Sequence, residues 1–214
     1  DGAASAIYGT RGSNGVIIIT TKKGKKDGSF STTYNGYLNI FSPKNELKVL
    51  TADEFRKHTP ERGNDFGANT DWFKEITQTG VTQSHNIQVS GGNLRNNYHA
   101  SVDVQDGKGI DIRSTRKDIG ARLSITHTSK SELFEFSFNV APRKVDFNNS
   151  DRYMFSQALT LNPTMPVMNV DNPNLFYEAT GWEAENPVEK LKLEKSGGTQ
   201  KFLDWYGTLK LNLL

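Results

Sequence analysis

Apolar and polar residues alternate along most of the chain. In SFSTTYNGYLNIF, Phe30, Tyr34, Leu38 and Ile40 share one parity, while Ser31, Thr33, Asn35 and Asn39 take the other. The same period returns in VTQSHNIQVSGG (Val81, Ile87, Val89), NNYHASVDVQ (Tyr98, Ala100, Val102, Val104) and KDIGARLSITH (Ile119, Ala121, Leu123, Ile125). It returns again in LFEFSFNV (Phe134, Phe136, Phe138, Val140) and FLDWYGTLKLNLL (Leu203, Trp205, Leu209, Leu211, Leu213). A period of two predicts strands with one apolar and one polar face. Most of these six segments run to about ten residues or more, against about five or six for an ordinary strand. That is the length a tilted strand needs to cross a bilayer.

The connectors alternate in length. A long one at 42–80 is followed by the tight GGNLRN, the medium DGKGIDIRST, the tight TSKSE and a second long one at 148–198. Up-and-down strands through a membrane have this rhythm, with short turns on one side and long loops on the other. A soluble sandwich also alternates in hydropathy, but connections in compact domains are mostly a few residues long. Short helices are predicted inside the long connectors at TADEFRKH, DWFKEI, YMFSQALTL and NPVEKLKLEK. In the first, Thr51 is placed to cap and Glu54 to close a capping box.

Composition narrows the partners. The net charge of +2 over 214 residues argues against nucleic acid as a partner. With no cysteine, redox compartment cannot be read from disulfides. No apolar run approaches the roughly 20 residues of a membrane-spanning helix. DGAASAIYGT lacks the basic start and apolar core of a signal peptide. Both ends read as falling inside an element, so a piece of a longer protein is expected.

The stretch AIYGTRGSNGVIIITTKKG sets Gly9, Gly12 and Gly15 three apart before a β-branched run and lysines. A phosphate loop needs strand, glycines, then helix, so that a helix N-terminus faces the anion. Here the order is reversed, and the lysines lie beyond the strand. A tight glycine turn feeding a buried strand is the simpler reading.

Residues Ala6 to Gly24 closely resemble the end of the plug domain in TonB-dependent outer-membrane transporters of the SusC/RagA branch. TQSHNIQVSGGNLRNNYHASVDVQDGKGI resembles the hairpin after that branch's first extracellular loop, and NPVEKL is a weaker echo. The resemblance implies an all-β fold: a partial antiparallel transmembrane β-barrel, about six strands of about 22, preceded by the C-terminal end of the plug, with short helices in long loops. Residues 1–26 would be plug end and hinge, and residues 27–214 the first barrel strands and loops. It further implies import of glycans (oligosaccharides) or peptides across the outer membrane of a Gram-negative bacterium. The implied partners are a SusD-like surface lipoprotein, outer-membrane lipid and TonB, which would act through an N-terminal segment absent here. The plug motif of Tyr8, Gly9, Arg11, Gly12, Asn14 and Gly15 would be structural, with Arg11 pairing to acidic groups on the plug or barrel wall. The tight turns would be periplasmic and the long connectors extracellular. Two rival classes are a siderophore- or cobalamin-type receptor and a soluble β-rich surface binding module.

Chemistry-bearing residues add little to this. His85 and His127 share the apolar parity of their strands, His99 the polar one, and His58 lies in a helix, so they do not converge as metal ligands must. Glu183 and Glu185 are too close in a loop to hold the roughly 5–10 Å separation of a glycosidase pair. DVQDGKGID lacks the order of a calcium loop. No nucleophile arrangement is present, and no catalytic residue, metal or cofactor is expected. Phe176, Tyr177 and Trp182 cluster in the last long loop, where they either pack or contact a ligand or partner. Trp72 is expected to pack on its own helix, and Trp205 to mark a membrane interface near the start of the last strand.

Overall fold

The structure, a computed structural model, describes residues 9, 22, 24–44, 47–58, 65–178 and 185–212. Its strands are β1 (Ser31–Phe41), β2 (Gly80–Gly92), β3 (Asn96–Lys108), β4 (Thr115–Thr128), β5 (Phe134–Asn148) and β6 (Gly197–Leu211). They form one antiparallel sheet in the order β1-β2-β3-β4-β5-β6, so every strand pairs with its neighbours in sequence. The helices are α1 (Ala52–His58) and α2 (Trp72–Ile76) between β1 and β2, and α3 (Tyr153–Thr160) and α4 (Pro187–Leu193) between β5 and β6.

Side-chain caps account for the starts of α1, α2 and α4, whereas Arg152 at the start of α3 makes no side-chain cap bond. At α1 the Thr51 N–H and hydroxyl donate to Glu54 Oε2 (2.9 and 2.8 Å), and the Glu54 N–H donates back to Thr51 Oγ1 (3.3 Å). These bonds, the one from the Thr51 backbone first, hold the Glu54 carboxyl below the usual carboxylate range. Asp71 caps α2 by accepting from the Lys74 N–H. At α4 Asn186 accepts from Val188 and Glu189, with Pro187 in the first turn, where its missing N–H costs nothing.

The strands outrun the alternation that announces them. β5 continues eight residues past Val140, with Val145 and Phe147 on the face opposite to Phe134–Phe138. β6 begins at Gly197, five residues before the apolar alternation. Trp205 therefore lies in mid-strand opposite Val140 rather than near the strand's start. Counted along the apolar face, it is still only two apolar positions in from the charged Lys201.

Burial is inverted relative to a soluble sandwich. On the apolar face, Phe136 is 44% and Leu211 63% exposed, and Ile87, Val102, Ile125 and Leu209 are exposed as well. The opposite face holds the buried polar residues Asn97, His99, Asp118, Ser124, Thr126 and Asn139. A sandwich would cover Phe136 and Leu211 with a second sheet, and the six strands form a single one. An uncovered apolar face of this extent needs a non-aqueous partner.

The register shows how that face is inclined. The apolar run of β1, Phe30 to Ile40, has Asn35 at its middle, which pairs through Asn86 and Asp103 to Gly120 of β4. The run of β6, Leu203 to Leu211, has Gly207 at its middle, which pairs through Phe138 to Ile125 of β4. The band thus slides by 125 − 120 = 5 positions from β1 to β6, or about one residue per strand. The runs of β3 and β4 are centred on Ser101 and Arg122, which pair with each other between these limits. A bilayer is level, so a band that climbs across the rungs means inclined strands. One residue of ~3.3 Å per strand spacing of ~4.8 Å corresponds to a tilt of roughly 35°, within the range of membrane barrels.

Among the described residues β1 and β6 each pair on one side only, leaving two long open edges. Open edges template further pairing. Chain 1–214 in aqueous buffer is therefore expected to self-associate, and light scattering without detergent showing a monodisperse monomer would contradict this.

Candidate functional site

Two regions could carry function: the polar face of the sheet, and a cap built by the connectors at one end. The only sizeable apolar core among the described residues is in the cap. Trp72 and Ile76 from α2, Met154 and Ala158 from α3, Val188 and Leu191 from α4, and Met165 form one buried cluster. Trp72 is 3% exposed and donates its Nε1–H to the Asn162 carbonyl at 3.1 Å, so it locks the two long connectors together rather than packing only its own helix. Backbone bonds from Ala68 to the Thr164 carbonyl (2.9 Å) and from Thr70 to the Pro163 carbonyl (2.8 Å) run alongside.

The β3–β4 connector joins the same assembly through Arg113. Its guanidinium donates to the Asn149 carbonyl (2.9 Å), Ser196 Oγ (3.0 Å) and the Leu191 carbonyl (3.1 Å). Buried Asp111 accepts from the N–H groups of Arg113 (2.9 Å) and Ser114 (2.6 Å). Burial pushes its carboxyl up, but the bonds from Ser114, Arg113 and Ser150 outweigh it and leave it below the ordinary range. A folded value below the unfolded one stabilises above the unfolded value near 3.9 and is lost as pH falls through the folded value. The cap is thus expected to loosen below about pH 4, read as quenching of Trp72 fluorescence in a background carrying both Trp182→Phe and Trp205→Phe. Asp111→Asn should remove that acid step.

Phe176 and Tyr177 are half-buried against the cap cluster. The Tyr177 ring meets Phe66 edge-on at 5.9 Å, and Lys192 Nζ lies 5.9 Å from the Phe176 ring centre. Asn186 clamps this loop, donating to the Val167 (2.8 Å) and Tyr177 (3.1 Å) carbonyls while capping α4. Of the six plug-motif residues Gly9 alone is among the described residues, with φ +65°, a conformation glycine adopts freely. Tyr8, Arg11, Gly12, Asn14, Gly15 and Trp182 lie outside them, as does Glu183.

The polar face carries a connected set of side chains. Asn35 Nδ2 donates to Asn86 Oδ1 (3.3 Å), and Asn86 Nδ2 donates to Asp103 Oδ1 (2.6 Å). Asp118, 8% exposed, accepts from Arg143 Nε (2.8 Å) and Arg116 (3.3 Å). Near the tight-turn end, Gly24 runs against β3 so closely that a Cβ there would overlap the Tyr98 backbone. Among the described residues no group of three or more His, Cys, Asp or Glu side chains could hold a metal. None of the described helices is long and apolar enough to cross a membrane, which leaves strand crossing open.

No family model matches the chain. It is 33% identical over 197 residues to the TonB-dependent receptor SusC of Bacteroides thetaiotaomicron, covering 87% of this chain. It belongs to the SusC-type TonB-dependent receptors. The TonB-dependent receptor P3 of Formosa agariphila is 34% identical over 148 residues, covering 65% of this chain. The chain spans 19% of the length of the first relative and 14% of the second. In fold it is similar to a solved structure of the RagAB peptide importer in an open-open state, with a TM-score of 0.77 and 19% identity. That match covers 100% of this chain and 29% of the other. The six strands thus correspond to a stretch of a transporter barrel, and the sheet's inverted burial has its explanation in that family.

Proposed function

We propose that the protein to which this chain belongs imports glycans or peptides across the outer membrane of a Gram-negative bacterium. Residues 27–214 supply the first barrel strands, apolar face to lipid and polar face to the lumen. Residues 1–26 supply the end of the plug and its hinge. The observation that carries this reading is the apolar band, uncovered and inclined at about one residue per strand. The connectors at the cap end face outward, and a SusD-like lipoprotein sits over them. TonB acts on a segment N-terminal to the plug signature, and the work is conformational gating without catalysis.

The compact cap suits the docking role. Three connectors tied by Arg113 and Trp72 present a rigid rim, whereas independent loops would lose more entropy on binding. Phe176 and Tyr177 take part by shaping that rim. The test is growth of a strain deleted for the full gene on a panel of polysaccharides and peptides. Loss of growth on at least one is expected, and unchanged growth on all would refute import. A siderophore- or cobalamin-type receptor would show its defect only under iron or cobalamin limitation.

A further inference from the structure

The lipid-side face of the sheet changes character where the apolar band stops. On the cap side the next charged positions of that face are Asp106 of β3, Lys117 of β4, Lys144 and Asp146 of β5, and Lys201 of β6. The register joins them in two rungs, Asp106–Lys117–Asp146–Thr199 and Val104–Ile119–Lys144–Lys201. The inclination of the strands then sorts them by depth. From Lys117, a slide of about one residue per strand toward the tight turns ends between Asp146 and Lys144 on β5, and at Lys201 on β6. Lys117, Lys144 and Lys201 therefore stand at one level on three adjacent strands, at the rim of the apolar band.

Long cationic side chains beside an apolar band reach the interface for solvation alone, but that reason holds for both rims. On the tight-turn side the same face of β3 to β6 ends in Asn96, His127, Phe134 and Leu211, none of them lysine, arginine or a carboxylate. The cationic level belongs to one rim. It also lies on the face turned away from the plug, and both sheet neighbours of β4 and of β5 are present around Lys117 and Lys144.

The side chains there are organised. Asp146 accepts from Lys144 Nζ (2.6 Å) and from the Thr199 hydroxyl (2.5 Å), and Asn148 Nδ2 donates to Thr115 Oγ1 (2.9 Å). On the cap side of the lysines these groups border a hollow of about 400 Å³, lined by Asp106, Thr115, Lys117, Asp146, Asn148 and Thr199 among others, within the range of small-ligand sites. Lys117 and Lys201 stand two strands apart, roughly 9–10 Å between backbones. Their flexible four-carbon stems let both ammonium groups close on one anion, and lysine binds phosphate as a point charge.

Three surfaces thus follow one another along the strands: an apolar band, a cationic level, and a hollow rich in hydroxyl, amide and carboxylate groups. A soluble anion would use only the second. An amphiphile with acyl chains, a phosphate and a sugar head uses all three. We propose that Lys117 and Lys201, with the hollow beside them, form a binding site for the phosphorylated sugar head group of an outer-leaflet glycolipid of the lipid A class. This rests on the import reading, which puts the cap side at the outer leaflet.

The test is native mass spectrometry of the full-length transporter in detergent, titrated with monophosphoryl lipid A and with the same lipid dephosphorylated. Lys117→Gln and Lys201→Gln are each expected to weaken binding of the phosphorylated lipid about fivefold, as expected for one lysine at an anionic surface. The double variant should lose more than either, and Lys201→Arg should keep most of the affinity. The dephosphorylated lipid should bind weakly and alike to all variants, and Lys130→Gln, in a tight turn, should match wild type. Heat-modifiable gel mobility should show every variant folded. Phosphorylated lipid bound by the double variant within twofold of wild type would overturn the proposal, as would an equal loss for the dephosphorylated lipid. Displacement by equimolar inorganic phosphate would make this a free-anion site and also overturn it. So would a change in the number of transporter copies per particle without lipid, which would assign the surface to contact between copies. The import reading stands or falls on growth of the deletion strain, so the two can fail separately.

Discussion

Replacing Trp72 with alanine is expected to open the cap while leaving the strands in place. Trp72 is the largest member of the buried cluster and bonds the opposite connector through Asn162. Emptying such a site costs about 3–5 kcal/mol, more than a cap of three short helices can hold in reserve. The segment should then open locally rather than globally. Trypsin cleavage at Lys190 and Lys192 of α4 is the readout, and it should rise by about two to three orders of magnitude when cleavage follows the open population. Heat-modifiable mobility of the full-length protein, which reports the barrel, should not change. Trp72→Phe should retain most of the protection. Equal cleavage of the alanine variant and wild type would mean that the cluster does not hold the cap.

The second large effect separates the two faces of the sheet. Leu123 points to the apolar face of β4, one residue from the middle of its apolar run. Leu123→Arg is expected to destabilise the full-length protein in lipid vesicles by about 2–4 kcal/mol, the cost of a cation near the bilayer midplane. Thr208→Arg, on the exposed polar face of β6, should fall within about 0.5 kcal/mol of wild type. Reversible denaturant unfolding from vesicles, followed by tryptophan fluorescence, gives both values. Similar costs for the two substitutions would end the assignment of the apolar face to lipid.

The helices of the cap and the cluster that joins them differ in how far they could be foreseen. The starts of α1 and α4 are local: Thr51 and Glu54 stand three residues apart, and Asn186 directly precedes Pro187, so one reading frame holds the whole signal. The cluster that joins the helices is not local, because Trp72 meets Asn162 across 90 residues of chain. Nothing in DWFKEI distinguishes a tryptophan packed on its own turn from one that clamps a second loop. The role of Arg113 was equally hidden, since its three acceptors are backbone or hydroxyl oxygens with no sequence signature.

Arg143 shows the same limit in the sheet. The apolar alternation stops at Val140, and Pro142 reads as a strand breaker. Yet the strand continues, because β6 supplies partners as far as Asn148↔Gly197. Cross-strand bonding by a long neighbour outweighs one missing donor.

The sequence alone determined the six described strands, the face taken by the residues of each alternating segment, the rhythm of the connectors and the capped starts of α1 and α4. All of these follow from periodicity and from contacts within a few residues. The tertiary structure decided the register, and through it the inclination of the apolar band, and it decided the clamp at Trp72. The physical reason is that alternation states which side of a strand a residue takes but not how far along its neighbour it lies. That offset is set by pairing between segments tens of residues apart.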